Sequence, residues 1–130
     1  MRVLAIDYGK RRVGLAISDP ERRFAFPLET VDTRRKDLKE RLAEIYSERP
    51  FSTVVIGKPP RDELIPEVEA LGRWIGETFG CEVVFWDEHY TSAEAEEMLK
   101  AMGKRINRKN KHLIDTLAAY LILMEYLGIR

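Results

Sequence analysis

Val3-Leu4-Ala5-Ile6-Asp7-Tyr8-Gly9-Lys10-Arg11-Arg12-Val13-Gly14-Leu15-Ala16-Ile17-Ser18-Asp19-Pro20 is the stretch that decides how this chain folds. The apolar run that begins at Val3 is continuous rather than alternating, which is the pattern of a strand covered on both faces. It ends at Asp7. Tyr8-Gly9-Lys10 is turn-like, Val13 to Ile17 reads as a second strand, and Ser18-Asp19-Pro20 ends it. Phe24 to Val31 reads as a third strand, with Pro27 marking an edge or a bulge. The three form an antiparallel meander.

Downstream the period changes. Thr33 is placed to cap a helix running to about Ser47, with Leu38, Leu42 and Ile45 on one face. Thr53 to Gly57 is a fourth, buried strand. Leu64 to Phe79 is helical, with Val68, Leu71, Ile75 and Phe79 on one face and Gly80 as its stop. Glu82 to Trp86 is a fifth strand, ending at Asp87-Glu88. Thr91 and Glu94 form a capping box for a helix to about Met102. A basic linker, Gly103 to Lys109, leads to a helix from about Lys111 to Tyr126 that is apolar nearly all round and so buried. The expected fold is α/β: a five-stranded mixed sheet, three strands antiparallel and two parallel, flanked by helices. Residues 1–130 are expected to form a single domain.

The formal net charge is zero although 34% of residues are charged, so any polyanion site must come from local clustering. A lone cysteine, Cys81, excludes an internal disulfide, and no Cys/His spacing suggests zinc. No basic leader with an apolar stretch and cleavage site opens the chain, and the apolar stretch Leu117 to Met124 is too short for a bilayer. The expectation is a cytoplasmic protein with no membrane partner.

Three acidic positions stand apart from the surface charges. Asp7 closes the first strand. Asp87 and Glu88 close the fifth, and ligands of open α/β sheets bind beyond the carboxyl ends of strands. Asp115 lies one turn into the last helix, on the face of Ala118, Ala119 and Ile122, where a carboxylate is costly without a partner. Each has a plainer use, as a turn former, a loop charge or a complement to a helix N-terminus. Gathered together they would repel one another, and oxygen-rich sites of this kind favour Mg²⁺ or Mn²⁺. Two such ions about 3.5–4 Å apart can drive phosphodiester hydrolysis.

Three motifs now resemble one family. Asp7-Tyr8-Gly9-Lys10-Arg11-Arg12-Val13-Gly14-Leu15-Ala16 with Ser18-Asp19-Pro20 is similar to the opening motif of the YqgF family. That family is also called RuvX, or the Holliday-junction-resolvase-like family. Asp87-Glu88-His89-Tyr90-Thr91-Ser92-Ala93-Glu94 resembles its second motif, and Ile114-Asp115-Thr116-Leu117-Ala118-Ala119 its third. The resemblance implies a ribonuclease H-like fold and a nuclease that trims the 5′ end of the 16S ribosomal RNA precursor. It implies that Asp7, Glu88 and Asp115 are the catalytic, metal-binding acids, with two ions of Mg²⁺ or Mn²⁺. The chain departs from the family at Lys58-Pro59-Pro60-Arg61-Asp62, in place of a Gly- and Asp-rich loop, and at His89-Tyr90, where Arg-Leu is common. Related resolvases carry a further acid where His112 stands here.

Basic residues adjoin these acids. Lys10, Arg11 and Arg12 follow Asp7. Lys104, Arg105, Arg108, Lys109 and Lys111 precede Asp115. They suit phosphate contacts that position a backbone without reading sequence. Gly9 and Gly14 offer backbone N–H groups to a phosphate. Tyr8 and Tyr90 are candidates for base stacking, whereas Trp74 and Trp86 belong to the core.

The expected partner is structured RNA, the precursor ribosomal RNA, met by a monomer or weak homodimer. One alternative is branched DNA, as for a Holliday junction resolvase, which needs two facing active sites and so a stable dimer. Another is a non-catalytic RNA-binding factor in ribosome assembly. An actin-like phosphate hydrolase would need a second domain for which this chain is too short.

Overall fold

The computed structural model describes residues 1–58, 62–87, 92–103 and 110–129. Five strands form one sheet: β1 (Arg2–Asp7), β2 (Arg12–Ser18), β3 (Ala25–Asp32), β4 (Phe51–Lys58) and β5 (Glu82–Asp87). Their order is β3-β2-β1-β4-β5. β1 pairs antiparallel with β2 and parallel with β4; β2–β3 is antiparallel and β4–β5 parallel. The expected mixed sheet is thus present. β1, the strand whose continuous apolar run suggested double coverage, lies at its centre.

Successive side chains of a strand point to opposite faces. On β1, Leu4 and Ile6 face one way, together with Leu15, Ile17, Val54 and Ile56. That face is covered by α1 (Leu38–Glu48) and α2 (Ile65–Phe79) through Leu42, Ile45, Leu71 and Ile75. Val3 and Ala5 face the other way, with Ala16 and Val55, and meet Ala119, Ile122 and Leu123. Those three residues belong to the last helix, α4 (His112–Leu127), which is buried along most of its length as its all-round apolarity required. The helix between, α3 (Ser92–Ala101), packs on α4 through Ala95 and Leu99. Its capping residue, Thr91, lies outside the described residues, as does the loop 59–61.

The two faces differ in side-chain size. Large residues separate the sheet from α1 and α2. On the α4 side the sheet offers Ala5, Gly14, Ala16 and Gly57, so the helix lies close against it. A Cβ on Gly14 would fall 1.9 Å from the carbonyl oxygen of Asp115, and one on Gly57 would fall 2.6 Å from Ile122 Cδ1. Gly14 therefore serves helix-on-strand packing inside β2 rather than offering a turn to phosphate. Gly9 serves the hairpin, where a Cβ would lie 2.5 Å from the Arg12 carbonyl oxygen.

Pro27 sits at a bulge on the edge strand, as expected: Leu15 pairs with Glu29 but Ala16 with Pro27, leaving Leu28 unmatched. The start of α1 is a correction. Thr33 does not cap it; the helix begins at Leu38, with the Asp37 carboxylate accepting from the Glu40 N–H at 3.1 Å. Asp32 intervenes. Its carboxylate accepts from the Arg34 N–H at 3.0 Å and its carbonyl from those of Arg35 and Lys36, folding 32–36 into a turn. The Thr33 hydroxyl is used instead to bond the Lys10 and Arg11 carbonyls of the hairpin, at 3.0 and 3.1 Å.

Trp74 and Trp86 pack against the two core layers, and the Trp86 indole donates to Glu125 at 2.9 Å. Tyr8 packs on the α1–α2 side, with its hydroxyl 3.3 Å from Glu67. Burial and the Glu67 charge push that phenol above its usual range. Its ring is half-buried and lines a surface hollow with Lys10, Thr33 and Glu67.

Candidate metal and nucleic-acid site

The carboxyl ends of the three parallel strands, β1, β4 and β5, lie along one edge of the sheet, where their last residues pair in register: Asp7 with Gly57, and Lys58 with Asp87. Asp7 follows Val3 and Ala5 on the two-residue period, so it belongs to the α4 side. Asp7 also pairs with Gly14 on β2, and the Asp115 backbone rests on Gly14. Two of the three sequence-predicted acids therefore border the same strand position, one from the sheet and one from the helix above it.

Asp87 goes the other way. Phe85, two residues before it, lies against Gly72 of α2, so the pleat puts Asp87 on the side away from Asp7, where it is exposed. Glu88 lies outside the described residues, as do His89, Tyr90, Lys104, Arg105, Arg108 and Lys109. Among the described residues no three His, Cys, Asp or Glu side chains gather closely enough to hold a metal.

Asp115 is the most unusual group in this region. Its side chain is 22% exposed, and Arg12 Nε stands 3.3 Å from Oδ2. That distance makes an ion pair, yet Oδ2 is buried and receives no hydrogen bond among the described residues. The guanidinium is near enough for attraction but not aimed along the lone pairs, which costs much of the benefit of a charged hydrogen bond. Desolvation raises the Asp115 carboxyl above the ordinary Asp value, against the pull of Arg12, Lys111 and His112. A buried carboxylate oxygen with no donor is the chemistry that a hard cation satisfies, so the residues present fit a divalent metal.

A cavity of about 380 Å³ opens at this point, lined by Gly9, Lys10, Arg11, Arg12, Arg34, Lys111 and Asp115. Four of the eight predicted phosphate-contact residues, Lys10, Arg11, Arg12 and Lys111, are thus assembled around one acid. His112 is exposed and faces an adjoining hollow with Thr30 and Arg35.

Sequence reasoning missed Thr30. Its hydroxyl donates to the His112 carbonyl at 2.6 Å and is hydrogen-bonded to the Thr116 hydroxyl, also at 2.6 Å. One side chain on β3 thereby ties down the first turn of α4, which carries Asp115. Thr30→Val keeps the shape and removes both bonds, and should lower unfolding free energy by about 1–2 kcal/mol in urea titration. Nothing in a β-strand threonine signals such a role before the helix is placed over it.

A second expectation concerns Asp115 itself. A carboxyl raised by burial is ionised at a cost to the folded state above its raised value, and a neutral isostere carries no such cost. In metal-free buffer near neutral pH, Asp115→Asn should melt no lower than the wild type. A fall in melting temperature would mean that the Arg12 pair outweighs desolvation.

Residues 1–128 match the family RuvX, described as Holliday junction resolvase. The chain belongs to the RuvX family. A relative from Caldicellulosiruptor bescii is 36% identical, covering 98% of this chain and 96% of the relative. One from Chloroflexus aurantiacus is 37% identical over 98% of this chain and 87% of its own. A third, from Chlamydia trachomatis serovar L2, is 36% identical over 98% and 91%. All three carry the name "Putative pre-16S rRNA nuclease". Solved structures extend the likeness of fold beyond the RuvX family. The Fowlpox virus resolvase in complex with Holliday junction DNA superposes with a TM-score of 0.67 at 14% identity, covering 98% of this chain and 97% of that one. T. thermophilus RuvC with a Holliday junction substrate gives 0.56 at 22% identity, covering 99% and 97%. The architecture is the ribonuclease H-like fold expected from the motifs.

Proposed function

We propose that this protein is a divalent-metal-dependent nuclease that processes the 5′ end of precursor 16S ribosomal RNA in the cytoplasm, with Asp7, Glu88 and Asp115 as its metal ligands. The observation that carries this reading is the buried Asp115 oxygen that receives no hydrogen bond among the described residues, next to the strand position of Asp7 and ringed by cations. Membership of the RuvX family and the shared name of its relatives supply the substrate.

Mg²⁺ or Mn²⁺, most simply as a pair, supplies Lewis acidity that eases ionisation of water and offsets charge building on the phosphate. The chain's own groups do the rest. Asp7 and Asp115 provide hard oxygen donors from a rigid strand end and a helix fixed by Thr30, so little reorganisation is needed. Lys10, Arg11 and Lys111 draw the phosphate backbone into the cavity. Arg12, held beside Asp115, lines the same cavity and would meet a phosphate oxygen there.

Incubation of an RNA carrying the precursor 5′ extension with the protein tests the reading. Cleavage is expected with Mg²⁺ or Mn²⁺ and should stop on chelation. An intact RNA beside a nicked four-way DNA junction, with a dimeric mass in solution, would replace RNA processing by junction resolution. Tight RNA binding with no cleavage under either ion would leave an assembly factor.

A further inference from the structure

The cavity beside Asp115 does not end there. It shares Arg12, Arg34 and Lys111 with a second, of about 540 Å³, that continues over the end of β3 to the turn at Arg34, Arg35 and Lys36. The two make one open groove between the start of α4 and the β3–α1 turn. Among the described residues seven cations and three acids line it, in a chain whose formal net charge is zero.

All three acids are engaged, Asp115 by Arg12 at 3.3 Å, and the cation Lys36 is itself held by Glu44 at 3.1 Å. Glu29 is held by Arg41, whose Nε lies 3.0 and 3.1 Å from its two oxygens. Asp32 accepts from the Arg34 backbone at 3.0 Å and from Arg34 Nε at 3.3 Å, with Arg35 at 3.9 Å. One carboxylate thus organises the turn and faces two guanidiniums, which leaves an excess of positive charge there. Arg34 and Arg35 remain accessible, with side chains 65% and 87% exposed.

The position of this turn matters. Asp7 pairs with Gly14, and Gly14 with Thr30, so β3 lies two strand spacings from Asp7, about 10 Å. A single phosphate at the acids cannot also meet Arg35; a chain of phosphates can. No Phe, Tyr or Trp lines the groove among the described residues, and His112 is its one aromatic ring, so its lining suits backbone contact over base stacking.

We propose that this groove carries the phosphate backbone of the RNA strand leading away from the cleaved bond, with Arg34 and Arg35 as its distal contacts. The proposal rests on the nuclease reading and adds to it a direction and a longer footprint. Binding along the groove is independent of base sequence and depends on strand length.

The test uses 5′-labelled oligoribonucleotides of about 4 and 20 nucleotides, read by fluorescence anisotropy over a salt series. Arg34→Gln with Arg35→Gln should weaken binding of the longer RNA about tenfold at 0.1 M salt. Losing two single-strand phosphate contacts should flatten the slope of log K against log salt by about 1.4. The short RNA should bind as it does to wild type. Arg49→Gln with Arg73→Gln changes net charge equally on exposed residues away from the groove and should leave both RNAs unaffected. Equal losses in the two double variants would reduce the effect to net charge and overturn the groove. So would an unchanged slope in Arg34→Gln/Arg35→Gln while wild type binds and cleaves. Wild type that binds neither RNA would overturn the nuclease reading, and the groove with it.

Discussion

Asp7→Asn should abolish cleavage of the precursor RNA while its affinity for the RNA stays within about twofold of wild type. The carboxylate-to-amide change is isosteric and lies at the end of a strand whose preceding residues, Val3 to Ile6, are completely buried, so the fold should not register it. A ligand to the metal contributes several kcal/mol to transition-state stabilisation, which corresponds to a loss of about a thousandfold or more in kcat/KM. Binding is a separate matter, since the proposal assigns it to Arg12, Lys111 and the other cations of the groove, all of which Asp7→Asn retains. Single-turnover cleavage and anisotropy on one preparation separate the two quantities. Retained cleavage by Asp7→Asn would remove the enzyme reading outright, because no other residue of β1 can supply a carboxylate.

The division between what was legible in the sequence and what was not follows a physical line. The sheet could be read because Val3 to Ile6 and Val54 to Ile56 are continuously apolar, and such runs are found where both faces are covered. The meander could be read because the first two strands each end at a short turn signal, Tyr8-Gly9-Lys10 and Ser18-Asp19-Pro20. Asp7 and Asp115 stood out because each is an acid attached to a buried run, although a turn former and a helix N-terminus complement would explain them singly; their joint placement and the motifs gave them weight. Their meeting at Gly14 was not legible, since it depends on where α4 crosses the sheet. Thr30 stayed hidden for the same reason.

The start of α1 failed differently. Thr33 and Asp37 are both competent caps, and the winner was decided by Asp32, which bends 32–36 into a turn before the helix can begin. Assigning Arg34, Arg35 and Lys36 to a helix concealed them as groove cations. Local capping competition of this kind is settled by contacts across the hairpin, here Thr33 to Lys10 and Arg11.

Gly14→Ala should be the most damaging single-methyl substitution in the chain. The new Cβ would fall 1.9 Å from the Asp115 carbonyl oxygen and 3.1 Å from the Thr116 nitrogen. Both are backbone atoms of a helix fixed by Thr30 on one side and by the Ala119–Ile122 packing on the other. Neither can rotate away, so relief requires α4 to lift from β2. Overpacking against rigid neighbours costs about 3 kcal/mol, or roughly 10 °C in melting temperature for a chain of this size. Gly57→Ala provides the contrast. Its Cβ meets Ile122 Cδ1 at 2.6 Å, the far end of a side chain that can change rotamer, so about 1 kcal/mol is expected. The activities should diverge further than the stabilities. Lifting the first turn of α4 moves Asp115 away from Asp7, and a displacement near 1 Å at a reacting site is worth about a hundredfold in rate. Gly14→Ala assayed well below its melting temperature should therefore remain folded, keep RNA affinity through its cations, and lose cleavage. Full cleavage by a folded Gly14→Ala protein would show that the spacing between β2 and α4 does not set the geometry of the acids.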